Sequence, residues 1–295
     1  MTGVSQISAV RPRHGWLVLI AMASMALFRG PLLALAHLAV EDERYTYIAF
    51  VPFITAFLIH FEGPEAFRHA LPAKVTGSGI IALAVGLLCT AGVGTSTSGF
   101  ATLFVSAAGF VTLWIGAFVL CYGTGVLKAA PFPFVFLLLF VPPPPAFLQA
   151  LVVLLQKGSA DVSYFFFKLA GVPVLRQGFV FSLPGLDVEV AQQCSGIRSG
   201  VSLFISAILA GHLTLHATWK KVFLSLVTVP VVIGKNALRI VVLSLAGVYV
   251  DRNILFSRIH KSSGLLFSPV AFFSLACLLF VLYQSEKKST AAGKF

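Results

Sequence analysis

From Ser78 to Gly123 the chain carries no charged side chain. Within that stretch Ser78–Gly94 and Ala101–Gly123 read as a helical hairpin, joined by the uncharged turn Thr95–Gly99. A helix needs about 20 apolar residues to cross a bilayer. Similar runs recur along the chain, and hydrophobic residues make up 58% of it against 11% charged. Soluble domains carry about 25% charged residues, so a protein core cannot absorb this much apolar surface and lipid must. The fold class expected is an all-α polytopic membrane protein. The net charge of +11 would suggest nucleic acid in a soluble protein. Here it reads as the Lys and Arg excess of cytoplasmic loops, and membrane lipid, not nucleic acid, is the expected partner.

About eight transmembrane helices are expected in a single integral-membrane domain, 1–295. Met1–His14 is basic (Arg11, Arg13) and is placed in the cytoplasm. The first span, Trp16 to about Val40, holds Arg29 and Pro31, which predict a kink and partial burial. It lacks a small-residue cleavage site, so it is read as a retained helix. Tyr47–His60 is a shorter second span. The Ser78–Gly123 hairpin supplies the third and fourth. Pro131 to about Val141 is the fifth, ended by the run Pro142–Pro145, which cannot continue a helix.

Ala146–Ala170 contains Gln149, Gln156, Lys157, Asp161 and Lys168, a polarity that predicts an amphipathic helix lying on the outer surface. Val174–Ser182 and Leu186–Val190 read as a β-hairpin around Leu183-Pro184-Gly185. The segment 146–193 is thus a small extracytoplasmic helix plus β-hairpin insertion before the sixth span. Spans at about Ile197–Ala217, Val222–Val250 and Gly264–Tyr283 follow, with an outer loop at Asp251–Lys261. The basic turn Trp219-Lys220-Lys221 and the basic tail put both termini in the cytoplasm of a plasma (inner) membrane protein.

This topology sorts the reactive side chains. Cys89 and Cys277 fall within spans and Cys121 near a helix end, so all three are expected as small apolar core residues. Cys194 alone is expected at the outer surface, in the stretch VAQQCSGIRSG. A lone thiol there is either a structural residue or a nucleophile. Of seven histidines, His37 and His260 are expected on the same side, and either could serve a Cys194 thiol as base. His212 and His216 have the four-residue spacing of a helical metal pair, but no carboxylate accompanies them, and no metal or cofactor is expected.

The seventh span carries Lys235, Asn236 and Arg239 in an apolar run. Charges at such positions usually face a polar cavity or partner. Arg239 lies about 27 Å beyond Lys221 at 1.5 Å per residue, which raises it toward the level of Cys194. It could instead snorkel to the outer interface. Asn236 and Arg239 share a helix face. Lys235 shares it less cleanly and is expected to pair with solvent or a lipid headgroup. An imidazole and a guanidinium beside a thiol would favour the thiolate, the nucleophilic form. Arg198, one turn beyond Cys194, competes with Arg239 for an oxyanion-binding role.

The pieces VAQQCSGIRSG, PVVIGKNALRI and HKSSGLLFSP, in that order, resemble the exosortase/archaeosortase family of membrane-embedded transpeptidases. FLLLFVPPPP and GVPVLRQGFVFSLPG also look like the family. The resemblance covers most of the chain and is densest from about Pro131 to Pro269. The region 194–269 holds its motifs. It implies Cys194 as nucleophile with Arg239 and His260 completing the catalytic site, and Ser195, Gly196, Arg198 and Asn236 in supporting roles. It implies exported proteins as partners, cleaved at a C-terminal sorting signal (a short motif, a transmembrane helix and a basic tail) and passed to an unknown surface acceptor. The chain departs from many relatives at Gln192 and Gln193, where an acidic residue is common, and at Tyr47, where a histidine is common. Two other readings compete. One is a transporter or channel served by Arg29, Lys235 and Arg239. The other is a non-catalytic component of surface-polysaccharide export.

Overall fold

The computed structural model describes residues 4–68, 71–91, 99–192, 195–250 and 258–292, with side chains described over 15–62, 71–90, 99–192, 195–250 and 266–288. The chain divides into two compact units, Met1–Pro144 and Pro145–Phe295.

The first unit contains helices α1 (Val4–Leu27), α2 (Arg29–Glu41), α3 (Val51–Arg68), α4 (Lys74–Ala91), α5 (Phe100–Tyr122), α6 (Thr124–Ala129) and α7 (Pro131–Leu137). The expected kink in the first span is present: α1 and α2 meet at 74°. The break falls at Phe28, which is fully buried and packs edge-on against Phe110 of α5 at 5.1 Å. Phe110 in turn stacks near Phe140 at 5.5 Å. The aromatic anchor holds the bend while Arg29 stays exposed. Beyond α2, the Arg44 guanidinium donates to both Asp42 carboxylate oxygens. That contact holds the Asp42 carboxyl below the usual carboxylate range. Burial pushes the Tyr47 phenol up to about 12.

α4 and α5 pack antiparallel at very short range. A Cβ on Gly77 would lie 2.6 Å from the Leu120 Cα, and one on Gly116 would lie 2.9 Å from Ile81 Cγ1. Small residues at a helix contact let backbones approach and gain dispersion energy where lipid supplies no hydrophobic drive.

The second unit contains α8 (Pro145–Leu169), strands β1 (Leu175–Gln177), β2 (Val180–Leu183) and β3 (Leu186–Glu189), and helices α9 (Ile197–Thr214), α10 (Thr218–Tyr249) and α11 (Arg258–Ala292). α10 is the hub, packed against the other three helices. Leu155, Leu203, Leu224, Val232, Ala271 and Leu275 form part of the shared core. Residue pairing fixes the directions. Gly196 and Gly200 of the α9 arm meet Asn236 and Val232, while Gly211 meets Leu224, so α9 is antiparallel to α10. Lys220 at the start of α10 reaches Leu282 and Ser285 late in α11, so α11 is antiparallel too. Gly158 meets Ile233, and Ser163 meets Ala237, so α8 runs parallel to α10. The result is an up–down–up–down bundle.

The expected segment Ala146–Ala170 is helix α8, which packs along α10 within the unit. α8 is 25 residues long and apolar enough to cross a membrane. Of the polar residues that suggested a surface helix, Gln156 is buried within the unit while Gln149, Lys157, Asp161 and Lys168 are exposed; Ser159 and Ser163 are buried beside Gln156. The expected count of eight spans is not reproduced among the described residues. Among the described residues, five helices are long and apolar enough to cross, or six if the bent α1–α2 pair is one span. The expected second, third and fifth spans are short apolar helices, Val51–Glu62, Lys74–Thr90 and Pro131–Phe140. The last would rise only about 15 Å, half a hydrocarbon core.

The strand region is a three-stranded antiparallel sheet in the order β1-β2-β3, in place of a single hairpin. The expected strand Val174–Ser182 is divided at Gly178, whose φ of 63° suits the first position of a tight hairpin loop. Pro184 and Gly185 form the second two-residue loop between the paired Leu183 and Leu186, and the φ of 73° at Gly185 fits Pro-Gly turn chemistry. The last helix begins at Arg258, six residues before the expected Gly264, and extends to Ala292. Of the cysteines expected in cores, Cys121 is buried but Cys89 and Cys277 are exposed on helix surfaces.

Gly116→Leu is expected to destabilise the protein by about 1–3 kcal/mol through overpacking, read as a lower midpoint of thermal unfolding in detergent. Gly86→Leu is the matched control, because a Cβ there meets nothing within 4 Å. Equal midpoints for the two variants would rule out the close α4–α5 contact.

Candidate active site

The sheet is fastened to α8 before the chain reaches the motif. Phe181 of β2 packs edge-on against Phe167 at 5.4 Å. Arg176 of β1 forms an ion pair with Asp161 at 2.8 Å, and its guanidinium lies 5.9 Å from the Tyr164 and Phe181 rings. Phe181, Leu183 and Val190 share a buried cluster with Ala160, Phe167, Ile240 and Val241. The sheet therefore sits at the Leu169 end of α8, beside the later turns of α10.

Two anchors bracket the motif. On the upstream side, the buried Gln156 amide of α8 donates to the Val190 carbonyl at 2.5 Å. On the downstream side, Ser195 and Gly196 pack into the α10 surface. The Ser195 N–H donates to the Gln192 carbonyl at 3.0 Å. The Ser195 side chain is 0% exposed, and its hydroxyl has no hydrogen-bond partner among the described residues.

Gly196 caps α9 with φ 80° and ψ 12°, a left-handed conformation that favours glycine. A Cβ there would also lie 3.4 Å from Asn236 Cγ. The Gly196 carbonyl accepts from the Gly200 N–H at 2.9 Å and from the Ser199 hydroxyl at 3.0 Å. Lys235 Nζ donates to that same Ser199 Oγ at 2.6 Å. Asn236 is 0% exposed and donates from Nδ2 to Ser159 Oγ at 3.1 Å.

The structure thus brings Ser195, Gly196 and Asn236 together. Gln193 and Cys194 lie outside the described residues, so the thiol is located only as the residue that precedes Ser195. Arg239 is half-buried on α10, one turn beyond Lys235 toward the sheet end, and Arg198 is exposed in the first turn of α9. His260 belongs to the first turn of α11, which begins at the sheet end of the bundle; its side chain is outside the described set. His37, the other candidate base, is exposed on α2 in the first unit, 3.5 Å from Glu41. His216 faces Glu286 at 3.4 Å.

Lys235 corrects an expectation. It does not reach solvent or a headgroup: it is 5% exposed and hydrogen-bonded within the bundle. Gln156, Ser159, Ser163 and Ser199 were not among the expected site residues. The signal for the first three is their spacing: positions 156, 159 and 163 fall on one helical face, and a small polar stripe on an apolar helix marks a helix contact.

With this geometry in view, the family can be stated. The model of the transmembrane exosortase family matches residues 37–281, and the chain belongs to that family. No curated protein and no solved structure matched the chain. Family membership and the apolar helices make it a multi-pass membrane protein.

Asn236→Ala and Ser159→Ala are each expected to lower stability by about 1–3 kcal/mol, the cost of stranding a buried polar partner. The double variant is expected to lose less than the sum, with a coupling of about 1 kcal/mol in a double-mutant cycle. Strict additivity would show that the two side chains do not act as a pair.

Proposed function

We propose that the chain is a membrane transpeptidase that cleaves C-terminal sorting signals of exported proteins through a Cys194 thioester. The observation that carries this reading is the family match across residues 37–281. The two anchors that fix the chain on either side of Cys194 add to it. The match runs through both compact units, which supports one functional integral-membrane domain.

Orientation follows from charge. Lys220, Lys221, Lys287 and Lys288 gather at one end of the second unit, by the α9–α10 turn and the late turns of α11. The positive-inside rule assigns that end to the cytoplasm. The opposite end, with the sheet and the Cys194 motif, then faces outward, as export substrates require. The basic N-terminal segment and the basic tail put both termini on the cytoplasmic side.

In the reaction, the Cys194 thiolate attacks the scissile carbonyl at the sorting motif and forms a tetrahedral oxyanion. The Arg239 guanidinium donates hydrogen bonds to that oxygen. The C–N bond breaks as the His260 imidazolium gives its proton to the departing amine, leaving a thioester. The released fragment keeps the transmembrane helix and basic tail. An acceptor nucleophile loses its proton to the neutral imidazole, attacks the thioester and returns the thiolate. Ser195, Gly196 and Asn236 hold the backbone next to the nucleophile, and Arg198, exposed in the first turn of α9, is the alternative oxyanion donor. The transporter reading uses Lys235 as a pathway cation; its bond to Ser199 gives that charge an internal use.

Chromosomal Cys194→Ala is expected to accumulate the longer precursor of a substrate bearing motif, helix and basic tail, seen by immunoblot at equal enzyme abundance. The expected loss of processing is at least about a thousandfold, as for removal of a covalent nucleophile. Unchanged processing of every such exported protein would overturn the thiol mechanism.

A further inference from the structure

The thiol mechanism leaves the buried Lys235 without a task. Lys235 sits on the same turn of α10 as Asn236, is 5% exposed, and donates to Ser199 Oγ at 2.6 Å. Ser199 donates to the Gly196 carbonyl at 3.0 Å. We propose that Lys235 is a positioning residue for the Cys194 nucleophile, acting through Ser199 on the Gly196 peptide. The proposal rests on Cys194 being the nucleophile.

The direction of the relay follows from donor chemistry. An ammonium has three donors and no acceptor. Lys235 therefore occupies a lone pair of the Ser199 oxygen and forces the hydroxyl proton away from itself. The Gly196 carbonyl is where that proton goes. Without the ammonium, the hydroxyl is a free rotor with other helical carbonyls in reach. Gly196 is the point where orientation matters most. Its left-handed φ of 80° sets the angle at which the chain leaves α9 toward Ser195 and Cys194.

The Asn236 side chain meets Gly196 in the same region, where an added Cβ would lie 3.4 Å from Asn236 Cγ. One turn of α10 thus holds Gly196 by two routes, one steric and one through hydrogen bonds. A site that depends on placement loses reactivity steeply when the placement slackens. Lys235 touches neither substrate nor the reacting atoms in this account, so its effect is felt through Ser199 and Gly196.

The test uses full-length protein in detergent, with iodoacetamide as the probe. Peptide mass mapping reads the rate of alkylation at Cys194 itself, apart from Cys89, Cys121 and Cys277. Lys235→Met is expected to slow both Cys194 alkylation and precursor processing by about ten- to a hundredfold. Lys235→Arg, which keeps a charged donor, recovers part of that loss, and Ser199→Ala slows both rates in the same direction. Should Lys235→Met fail to fold, a folded Ser199→Ala decides: slowed alkylation supports the relay and an unchanged rate overturns it. Wild-type alkylation and processing in Lys235→Met also overturn it. If Cys194→Ala processes normally, the nucleophile assignment itself has failed, a result separable from any outcome at Lys235.

Discussion

The pairing of Lys235 and Asn236 inside a 32-residue apolar helix constrains the rest of the second unit. Neither side chain can be left bare in a low-dielectric interior, and neither can leave the helix. Each is met by a serine from a different neighbour, Ser199 of α9 and Ser159 of α8. Serine is short, so the backbones must come close. That is where the small residues are: Gly158 against Ile233, Gly196 against Asn236 and Gly200 against Val232. The polar pairs and the glycine contacts are one requirement seen twice. α10 becomes the hub because it carries the groups that need partners.

A second polar cluster closes the other end. The N–H groups of His216 and Ala217 donate to the Glu286 carboxylate, and Lys220 donates to Ser285 Oγ at 2.7 Å and the Leu282 carbonyl at 3.3 Å. The α9–α10 turn is tied to α11 by charge-assisted bonds. α10 is thus tied to its neighbours near its start, at Lys220, and again near its middle, at Lys235 and Asn236.

Much of this was legible in the sequence. The membrane class, the bend near Arg29 and Pro31, the Pro184–Gly185 turn and the junction at Gly196 all follow from residue types whose local physics is strong. Family membership followed from the spaced motifs around Cys194, Asn236–Arg239 and His260. The departure at Lys235 has a physical cause. A polar residue on an apolar helix was assigned to water or headgroups when its partner lay on another helix. Lys235 read as a cation for solvent or a lipid headgroup, and its partner is Ser199 of α9. Sequence reports polarity along one helix; it does not report which neighbour brings the matching group. The short apolar helices α3, α4 and α7 leave the number of candidate spans among the described residues at five or six. Apolar composition alone does not tell a full crossing from a partial one.

The length of chain between α8 and α9 has its own consequence. Helix–helix connections in bundles usually take about 2–8 residues, and here 27 residues (170–196) intervene. The sheet lies within 175–189, and a short strap from Val190 to Gly196 leads into α9. The strap is held by backbone carbonyls at both ends, Val190 by Gln156 and Gly196 by Ser199. Anchors of that kind do not depend on the side chains in between.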